Sequence, residues 1–214
     1  MMKLIDATRL LWVTPEAERL IVKTARVSAP QNEDNLATGP RLLKYLIKHK
    51  HWSPFEMANM CLEIHTQRDI SAQIIRHRSF SFQEFSQRYA ETEQAKIPKF
   101  RRQDSRNRQN SIDDLTDEQI DLLEELTYKH IKEGYELYQT MLEMGVAKET
   151  ARRHLPMCSP TRIYMNGTLR SWIHYIDLRT DPGTQWEHRT IANQAKIIFQ
   201  QQFPVISEAL WYEA

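Results

Sequence analysis

The sequence predicts an α+β fold, in which a helix-rich single domain contains a small, mostly antiparallel sheet. Helix-start signals precede several stretches with an apolar stripe, whereas few segments alternate between apolar and polar residues. Strands and helices do not follow each other in the βαβ order of a doubly wound fold. A chain of 214 residues without repeats is typical of one domain, which we assign to residues 1–214.

The N-terminal part predicts one strand followed by two helices. Residues 3–7 predict a short first strand. Thr14 followed by Pro15 is typical of a helix start, and this helix would end near Val27. Pro40 begins the second helix. Its predicted apolar face consists of Leu42, Leu43, Leu46 and Ile47.

A turn and a strand follow the second helix. Ser53 and Glu56 stand three residues apart, with a proline after the serine, which is the pattern of a capping box. Such a turn would hold His51 and Trp52 in fixed directions. The alternation of apolar and polar residues over 60–65 predicts a half-buried strand.

The segment 73–89 is the most unusual part of the chain. It holds three arginines and three serines among four aromatic residues. Arginine offers a planar fork of donors that suits phosphate, serine hydroxyls complete such a site, and aromatic rings supply flat walls. Gln73, Arg76 and His77 share one side of a predicted helix. The segment predicts a pocket for a phosphorylated, flat ligand, and an interface loop paired with acids is the alternative.

A basic run without a hydrophobic pattern occupies residues 99–111. Its arginines are Arg101, Arg102, Arg106 and Arg108. We interpret the run as a solvated loop or insertion, and we expect residues 92–114 to be flexible. A basic arm that binds nucleic acid is the alternative.

Two helices and a strand are predicted next. Thr116 and Gln119 form a capping-box pattern, which predicts a long helix to about Met144. Its predicted buried side consists of Ile120, Leu123, Leu126, Ile131, Tyr135, Tyr138 and Leu142. A shorter helix over 148–154 follows, and residues 159–166 predict a returning strand.

The helix that starts after Thr168 carries two different stripes. Its predicted apolar stripe is Leu169, Trp172, Ile173 and Ile176. A polar stripe of Arg170, His174 and Asp177 lies on another side at helical spacing, and Arg179 ends the helix before a Pro-Gly turn.

The C-terminal part predicts one more long helix. Thr184 and Glu187 again match a capping box. The residues predicted to point inward are Ile191, Ala195, Ile198 and Phe199. Residues 205–212 predict a last helical turn or two.

Composition excludes several kinds of protein. The net charge of +1 provides no global attraction to nucleic acid or membrane, and no apolar run approaches the roughly 20 residues of a membrane span. Neither the 2 cysteines nor the 8 histidines show metal-ligand spacing, so we expect no metal and a cytoplasmic protein with reduced thiols. The 5 glycines form no phosphate loop, and a dinucleotide must therefore be held by side chains.

Arg76-His77-Arg78, followed after seven residues by Ser86-Gln87-Arg88-Tyr89, resembles the signature of the flavin-dependent thymidylate synthases. Further matching segments occur in the family's order at 25–28, 51–56, 151–156, 170–179 and 181–187. The chain departs from the commonest form at Gln83, Thr168 and Gly183.

This resemblance implies an enzyme that converts dUMP to dTMP by reductive methylation. Methylenetetrahydrofolate (the 5,10 form) would donate the carbon, and NADPH would be the reductant through bound FAD. The resemblance also implies a homotetramer with sites at subunit interfaces, and neither a membrane nor a nucleic acid as partner.

The resemblance also assigns roles to residues. Arg179 would be catalytic, because a fixed guanidinium beside the uracil ring favours ionisation at N3. The implied dUMP-binding residues are Gln73, Arg76, Glu84, Phe85, Ser86, Gln87, Arg88, Arg152 and Arg179. The implied FAD-binding residues are Ser28, His51, Ser53, Arg76, His77, Arg78, Glu84, Thr168, Arg170 and His174.

Two other functions compete with this interpretation. A single-stranded nucleic-acid-binding module would use residues 101–108 together with the aromatic loop. A Cys158-dependent methyltransferase would use that thiol as its nucleophile.

Overall fold

The computed structural model describes residues 7–212 and contains six strands. They are β1 (Ala7–Val13), β2 (Asn59–Gln67), β3 (Ser81–Glu84), β4 (Arg102–Gln103), β5 (Ser111–Ile112) and β6 (Pro160–Thr168). The main sheet has the order β1-β2-β6-β3 and all its neighbours are antiparallel, while β4 and β5 form a separate hairpin. The predicted α+β class with a small antiparallel sheet is confirmed.

Eight α-helices make up the larger part of the regular secondary structure in residues 7–212. They are α1 (Ala17–Ala25), α2 (Gly39–Lys48), α3 (Arg68–Ile74), α4 (Asp117–Glu143), α5 (Lys148–Ala151), α6 (Leu169–Arg179), α7 (Trp186–Gln202) and α8 (Pro204–Trp211). Short 3-10 turns lie at Pro30–Asn32, Leu36–Thr38, Ser53–Glu56 and Arg152–His154. Within residues 7–212, none of the helices has the length and apolar character that crossing a bilayer requires.

The start of the chain differs from its prediction in two ways. Residues 3–6 of the predicted first strand lie outside the described residues, and β1 continues to Val13, past the predicted end at residue 7. The helix predicted to start at Thr14 begins only at Ala17, after Glu16 in a left-handed conformation (φ 48°). Thr14 does not cap it, because its Oγ1 accepts a hydrogen bond from the Asn59 amide of β2 at 2.9 Å.

Only one of the three predicted capping boxes forms. The Thr116 hydroxyl accepts from the Gln119 amide, and the Gln119 side chain accepts from the Thr116 amide. The predictions at Ser53 and Thr184 are wrong, because no side chain caps either turn. The glutamates of those two patterns instead form ion pairs with arginines from distant parts of the chain. Glu56 pairs with Arg170, and Glu187 pairs with Arg101. An ion pair with a guanidinium is stronger than a neutral cap.

Strand β2 is central in the sheet and is buried on both sides, so the prediction of a half-buried strand is wrong. Its Glu63 is 1% exposed and accepts from Arg9 Nη2 at 2.8 Å and from His65. Burial would raise the pKa of this carboxyl, but hydrogen bonds from Arg9, His65 and Tyr164 lower that pKa to about 2. Glu63 therefore remains ionised inside the protein.

The packing of α4 differs from that of α6. The predicted apolar stripe of α6 is completely confirmed, since all four of its residues lie in the core with Trp172 at the centre. In α4, by contrast, Ile131 and Tyr138 are buried, while Leu126 is 56% exposed against the prediction. Within the described chain, α4 packs mainly on α5 and the turn after it, and much of its length has no neighbour to cover it.

Strand β3 was not predicted, because its segment carries the arginine-rich aromatic pattern. It pairs with β6 from Ser81 to Glu84 and places Phe80 against Trp172, with ring centroids 4.9 Å apart. Gly167 of β6 lies under the Phe80 ring, where an added methyl group would be 2.4 Å from Phe80 Cδ1. The start of the arginine segment is therefore fixed by core packing.

We predict that Gly167→Ala lowers the free energy of unfolding by about 1–3 kcal/mol, because the methyl group forces the Phe80 ring from its place. Urea denaturation of the single variants and of Gly167→Ala/Phe80→Leu measures the effect. In the Phe80→Leu background the same glycine change should cost clearly less, since the ring atoms are gone. Equal costs in both backgrounds would exclude the proposed contact.

Candidate active site

The polar stripe of α6 forms the wall of a cavity. Thr168 begins this helix and its hydroxyl accepts from the Ser171 amide at 3.2 Å. One side of α6 is fixed in the core, so the opposite side faces a cavity of about 490 Å³. The lining residues are Trp52, Glu56, Ser79, Arg170, Ser171, Ile173, His174 and Asp177. The cavity combines a cation and an imidazole with an indole ring.

An ion pair brings the turn after α2 to this cavity. Arg170 Nη1 donates to Glu56 at the end of the 3-10 turn Ser53–Glu56. The pair holds Trp52 at the cavity, and the exposed His51 and Ser53 lie in the same turn. The structure thus brings the turn with His51 and Ser53 next to Arg170 and His174.

A second cavity of about 500 Å³ lies at the end of α6. The residues that line it are Gln73, Gln109, Asp177, Leu178, Arg179, Asp181, Gly183, Thr184 and Gln185. Asp177 lines both cavities, which are therefore neighbours along one helix. The turn after α6 is closed by Asp181, whose Oδ1 accepts from the Gly183 amide at 2.7 Å.

His77 fixes the guanidinium of Arg179. The Arg179 Nε donates to His77 Nε2 at 2.9 Å, which requires an unprotonated acceptor nitrogen. Burial, followed by the charge of Arg179 and then that of His174, lowers the pKa of His77 to about 4. The imidazole is therefore neutral at physiological pH and remains an acceptor for Arg179.

The buried rings of Tyr175 and His188 pack next to His77 and support this contact. The rings of His77 and Tyr175 lie 4.9 Å apart, and His188 Nε2 is 3.1 Å from the Tyr175 hydroxyl. His188 is fully buried, and burial lowers its pKa to about 3. This packing leaves His77 little freedom to turn away from Arg179.

Glu84, one of the predicted ligand-binding residues, is half-buried and lies at a junction of several elements. Its Oε1 accepts from Ser71 Oγ at 2.6 Å and from Thr161 Oγ1 at 3.0 Å, and lies 2.7 Å from Arg68 Nη1. These contacts tie the end of β3 to α3 and β6. The next residue, Phe85, continues the pairing through its amide, which donates to the Arg162 carbonyl at 2.8 Å.

The remaining predicted nucleotide-binding residues form a separate group. Arg88 is exposed and pairs with Glu149 of α5 at 3.0 Å, and Arg152 lies half-buried in the turn that follows α5. Ser86 Oγ accepts from the Arg88 amide at 3.4 Å. Gln87 is 5% exposed, and its Nε2 has no hydrogen-bond partner among the described residues. This group does not line the cavity that contains Arg179.

Of the predicted site residues, only Gln73, Arg170, His174 and Arg179 line one of the two cavities, and Arg76, Arg78 and Ser28 are among those that do not. Arg76 and Arg78 are exposed on either side of His77, and Ser28 is exposed after α1. Arg26, two residues before Ser28, is buried and donates to the Asn32 carbonyl and the Thr38 hydroxyl at 3.0 and 2.7 Å. These bonds order the loop that presents Ser28.

A model of the family described as "Thymidylate synthase complementing protein" matches residues 9–205. The chain belongs to this family. A probable flavin-dependent thymidylate synthase of Paramecium bursaria Chlorella virus 1 is 50% identical over 210 residues, which cover 97% of each chain. The flavin-dependent thymidylate synthase of Synechocystis sp. is 47% identical over 193 residues, or 90% of this chain and 89% of that protein. The family predicted from the signature of residues 76–89 is confirmed.

Solved structures show the same fold. The UMP/dUMP methylase PolB from Streptomyces cacaoi, bound with 5-Br dUMP, aligns with a TM-score of 0.85. The alignment covers 95% of this chain and 93% of that one at 24% identity. The form bound with 5-Br UMP aligns with a TM-score of 0.83 and 26% identity, covering 95% and 92% of the two chains.

The structure also adds residues to the site that the family signature does not contain. Gln109, which the sequence places in the basic run, lines the Arg179 cavity. Gln185 donates through Nε2 to Glu187 at 3.1 Å, and Arg101 pairs with Glu187 at 2.7 Å. The side chain of Arg101 is only 11% exposed, so the interpretation of the whole run as solvated is wrong at this residue. A run of arginines does not reveal which one has a buried acidic partner.

The local chemistry disfavours both competing functions. Burial raises the pKa of the Cys158 thiol, and the charge of Asp69 raises it further, so the thiolate needed by a nucleophile is suppressed. In the basic run, Arg101 and Arg102 pair with Glu187 and Asp114. Within residues 7–212, no cluster of histidine, cysteine or carboxylate side chains has the arrangement of a metal site.

We predict that acid destabilises this family member above the range where most carboxylates titrate. Unfolded histidines have pKa values near 6.5, whereas His77 and His188 have pKa values of about 4 and about 3 in the native state. As the pH falls below 6.5, the unfolded chain takes up protons that the native protein does not. The unfolding free energy should then fall by up to about 1.4 kcal/mol per pH unit for each histidine.

Urea denaturation at pH values between 7 and 5.5 measures this slope. His188→Gln should flatten it, because the glutamine does not titrate. His130 on α4 is exposed, so His130→Gln serves as the control and should retain the slope of the unchanged protein. Identical slopes for all three proteins would contradict the assignment.

Proposed function

We propose that this protein is an FAD-dependent thymidylate synthase that methylates dUMP to dTMP, with methylenetetrahydrofolate as the carbon donor and NADPH as the reductant. Membership of the family supplies the enzyme class. The structural observation that best supports this function is the position of Arg179, which donates a hydrogen bond to a neutral His77. Arg179 lines a cavity together with three glutamine side chains, those of Gln73, Gln109 and Gln185.

Arg179 suits the electrostatic part of this reaction. A uracil ring becomes nucleophilic at C5 when negative charge develops on the ring, and a guanidinium held beside it stabilises that charge. Because His77 accepts from Nε, the two terminal nitrogens of Arg179 remain as a fork of donors. The chain needs no nucleophile of its own in this scheme.

The group around Ser86 suits a nucleotide monophosphate. Arg88 and Arg152 provide cations, Ser86 provides a hydroxyl, and the Gln87 amide has a donor without a partner among the described residues. We assign the phosphate of dUMP to this group, with Phe85 beside it. Two implied residues remain. Arg76 would act near the nucleotide through its charge, and Glu84 would act by anchoring β3.

The cavity along α6 has side chains that fit part of a flavin nucleotide. Trp52 and Ile173 offer apolar surface, while Arg170 and His174 offer donors to an anionic or carbonyl group. We assign FAD to this cavity, with His51, Ser53 and Thr168 at its margin and with His77, Arg76 and Arg78 towards the nucleotide. Ser28, on the loop after α1, would contribute to the same cofactor site. Bound FAD supplies the reducing equivalents for the transferred one-carbon unit.

We further propose that the active protein is a cytoplasmic homotetramer whose sites combine residues of several subunits. Arg88 and Arg152 form one group and Arg179 belongs to another, so a site that uses all of them is completed by a second copy. The exposed apolar residues of α4, including Leu122, Leu126 and Leu137, provide a surface for such assembly.

We predict that Arg179→Ala abolishes thymidylate formation, with a loss of roughly 10²–10³-fold or more, while the protein still retains FAD. Product formation from dUMP and the visible absorbance of oxidised flavin are the two measurements. Cys158→Ala is the matched control and should keep full turnover. A colourless native protein would contradict the cofactor assignment, and unchanged turnover of Arg179→Ala would contradict the role of that residue.

We predict that only one of the two changes to the Arg88–Glu149 pair weakens dUMP binding. Arg88→Ala should weaken dUMP binding roughly 10–100-fold, the value of one or two charge-assisted hydrogen bonds. Glu149→Gln should leave binding unchanged or slightly tighter, because it frees Arg88 from an exposed competitor. Calorimetric titration with dUMP measures both, and equal weakening by the two changes would argue against a phosphate contact of Arg88.

A further inference from the structure

Four side chains form a continuous hydrogen-bonded path from the basic run to the Arg179 cavity. Arg101 Nη2 donates to both oxygens of Glu187 at 2.7 and 2.9 Å. Gln185 Nε2 donates to Glu187 Oε2 at 3.1 Å, and Gln73 Nε2 donates to Gln185 Oε1 at 2.6 Å. Gln73 and Gln185 both line the cavity with Arg179. The path therefore begins at a buried ion pair and ends at the wall of the site.

The direction of each bond in this path is fixed by one carboxylate. An ionised carboxylate only accepts hydrogen bonds, so Glu187 turns the amide nitrogen of Gln185 towards itself. The carbonyl oxygen of Gln185 then accepts from Gln73. Glu187 is 9% exposed, and Arg101 supplies the opposite charge that pairs with it at this burial.

The same ion pair anchors the β4–β5 hairpin. Arg101 stacks on Trp186 at 5.4 Å from the ring centroid, and its Nε donates to Ser111 Oγ at 2.9 Å. Beyond this anchor, Asp104 orders the tip by accepting from the Arg106 and Asn107 amides. The tip carries Gln109, which lines the Arg179 cavity.

We propose that Arg101 and Glu187 form a positioning pair for the nucleotide pocket, which holds Gln109 over the cavity and sets the orientation of Gln185 and Gln73. The ligand is a pyrimidine nucleotide, whose ring edge carries both donors and acceptors and therefore requires glutamine amides of defined orientation. This inference rests on the proposed binding of dUMP. It adds that the hairpin contributes Gln109 to the substrate site and that the Arg101–Glu187 pair holds it there.

The test compares two ion pairs on one hairpin. Arg101 and Arg102 are neighbours, and each pairs with one carboxylate, but Asp114, the partner of Arg102, lines neither the α6 cavity nor the Arg179 cavity. Arg101→Gln in the FAD-loaded protein should raise the dissociation constant and the KM for dUMP at least tenfold. Its kcat should stay within about threefold, because Arg179 and His77 are untouched. Arg102→Gln should leave all three quantities unchanged.

Two further measurements do not depend on turnover. Trypsin should cleave after Arg106 and Arg108 faster in Arg101→Gln than in Arg102→Gln, since only the first change releases the hairpin. Saturating dUMP should slow that cleavage in the unchanged protein. Gln109→Ala, an exposed change that leaves the ion pair intact, should raise the dissociation constant for dUMP without speeding cleavage.

The outcomes separate this inference from the proposed function. If the unchanged protein binds dUMP but Arg101→Gln and Gln109→Ala bind it within twofold of Arg102→Gln, the positioning pair is refuted and the enzyme assignment stands. If the unchanged protein neither binds dUMP nor forms thymidylate, the proposed function fails, and the inference falls with it.

Discussion

The hydrogen bond from Arg179 to His77 is the contact on which the candidate site depends. It joins the end of α6 to His77, three residues after the end of α3, and it exists only because the imidazole is neutral. That neutrality comes mainly from burial against Tyr175 and His188, which belong to the core. Core packing therefore decides the direction of a guanidinium at the surface of a cavity.

Pairs of arginine and glutamate from distant parts of the chain assemble the rest of the site. Arg170 draws the turn after α2 to α6 through Glu56, and Arg101 draws the hairpin to α7 through Glu187. In both cases the glutamate stands where a helix cap was predicted. A charge-assisted hydrogen bond to arginine forms in place of a local helix cap, because the long guanidinium side chain reaches a glutamate on another element. The loop that carries one partner is then held against that element.

Much of the fold could be predicted because local patterns coincide with the final packing. The apolar stripe of α6 and the capping box of α4 depend on residues three or four apart, and both form as predicted. The failures share one cause, namely partners far away in sequence. Thr14 bonds to Asn59 of β2, Glu63 is buried by neighbouring strands, and Leu126 remains exposed because much of α4 has no neighbour among the described residues.

The sequence by itself determined the α+β class, the family and the types of side chain that serve the chemistry, because the arginine signature and the helical stripes are local properties. Only the tertiary structure decided which of those side chains meet. It placed Arg179 with Gln73, put Arg88 with Glu149 in another group, and made Glu84 a structural junction. It also brought Gln109 to the cavity, since the position of a hairpin is set by a buried ion pair 86 residues apart in sequence.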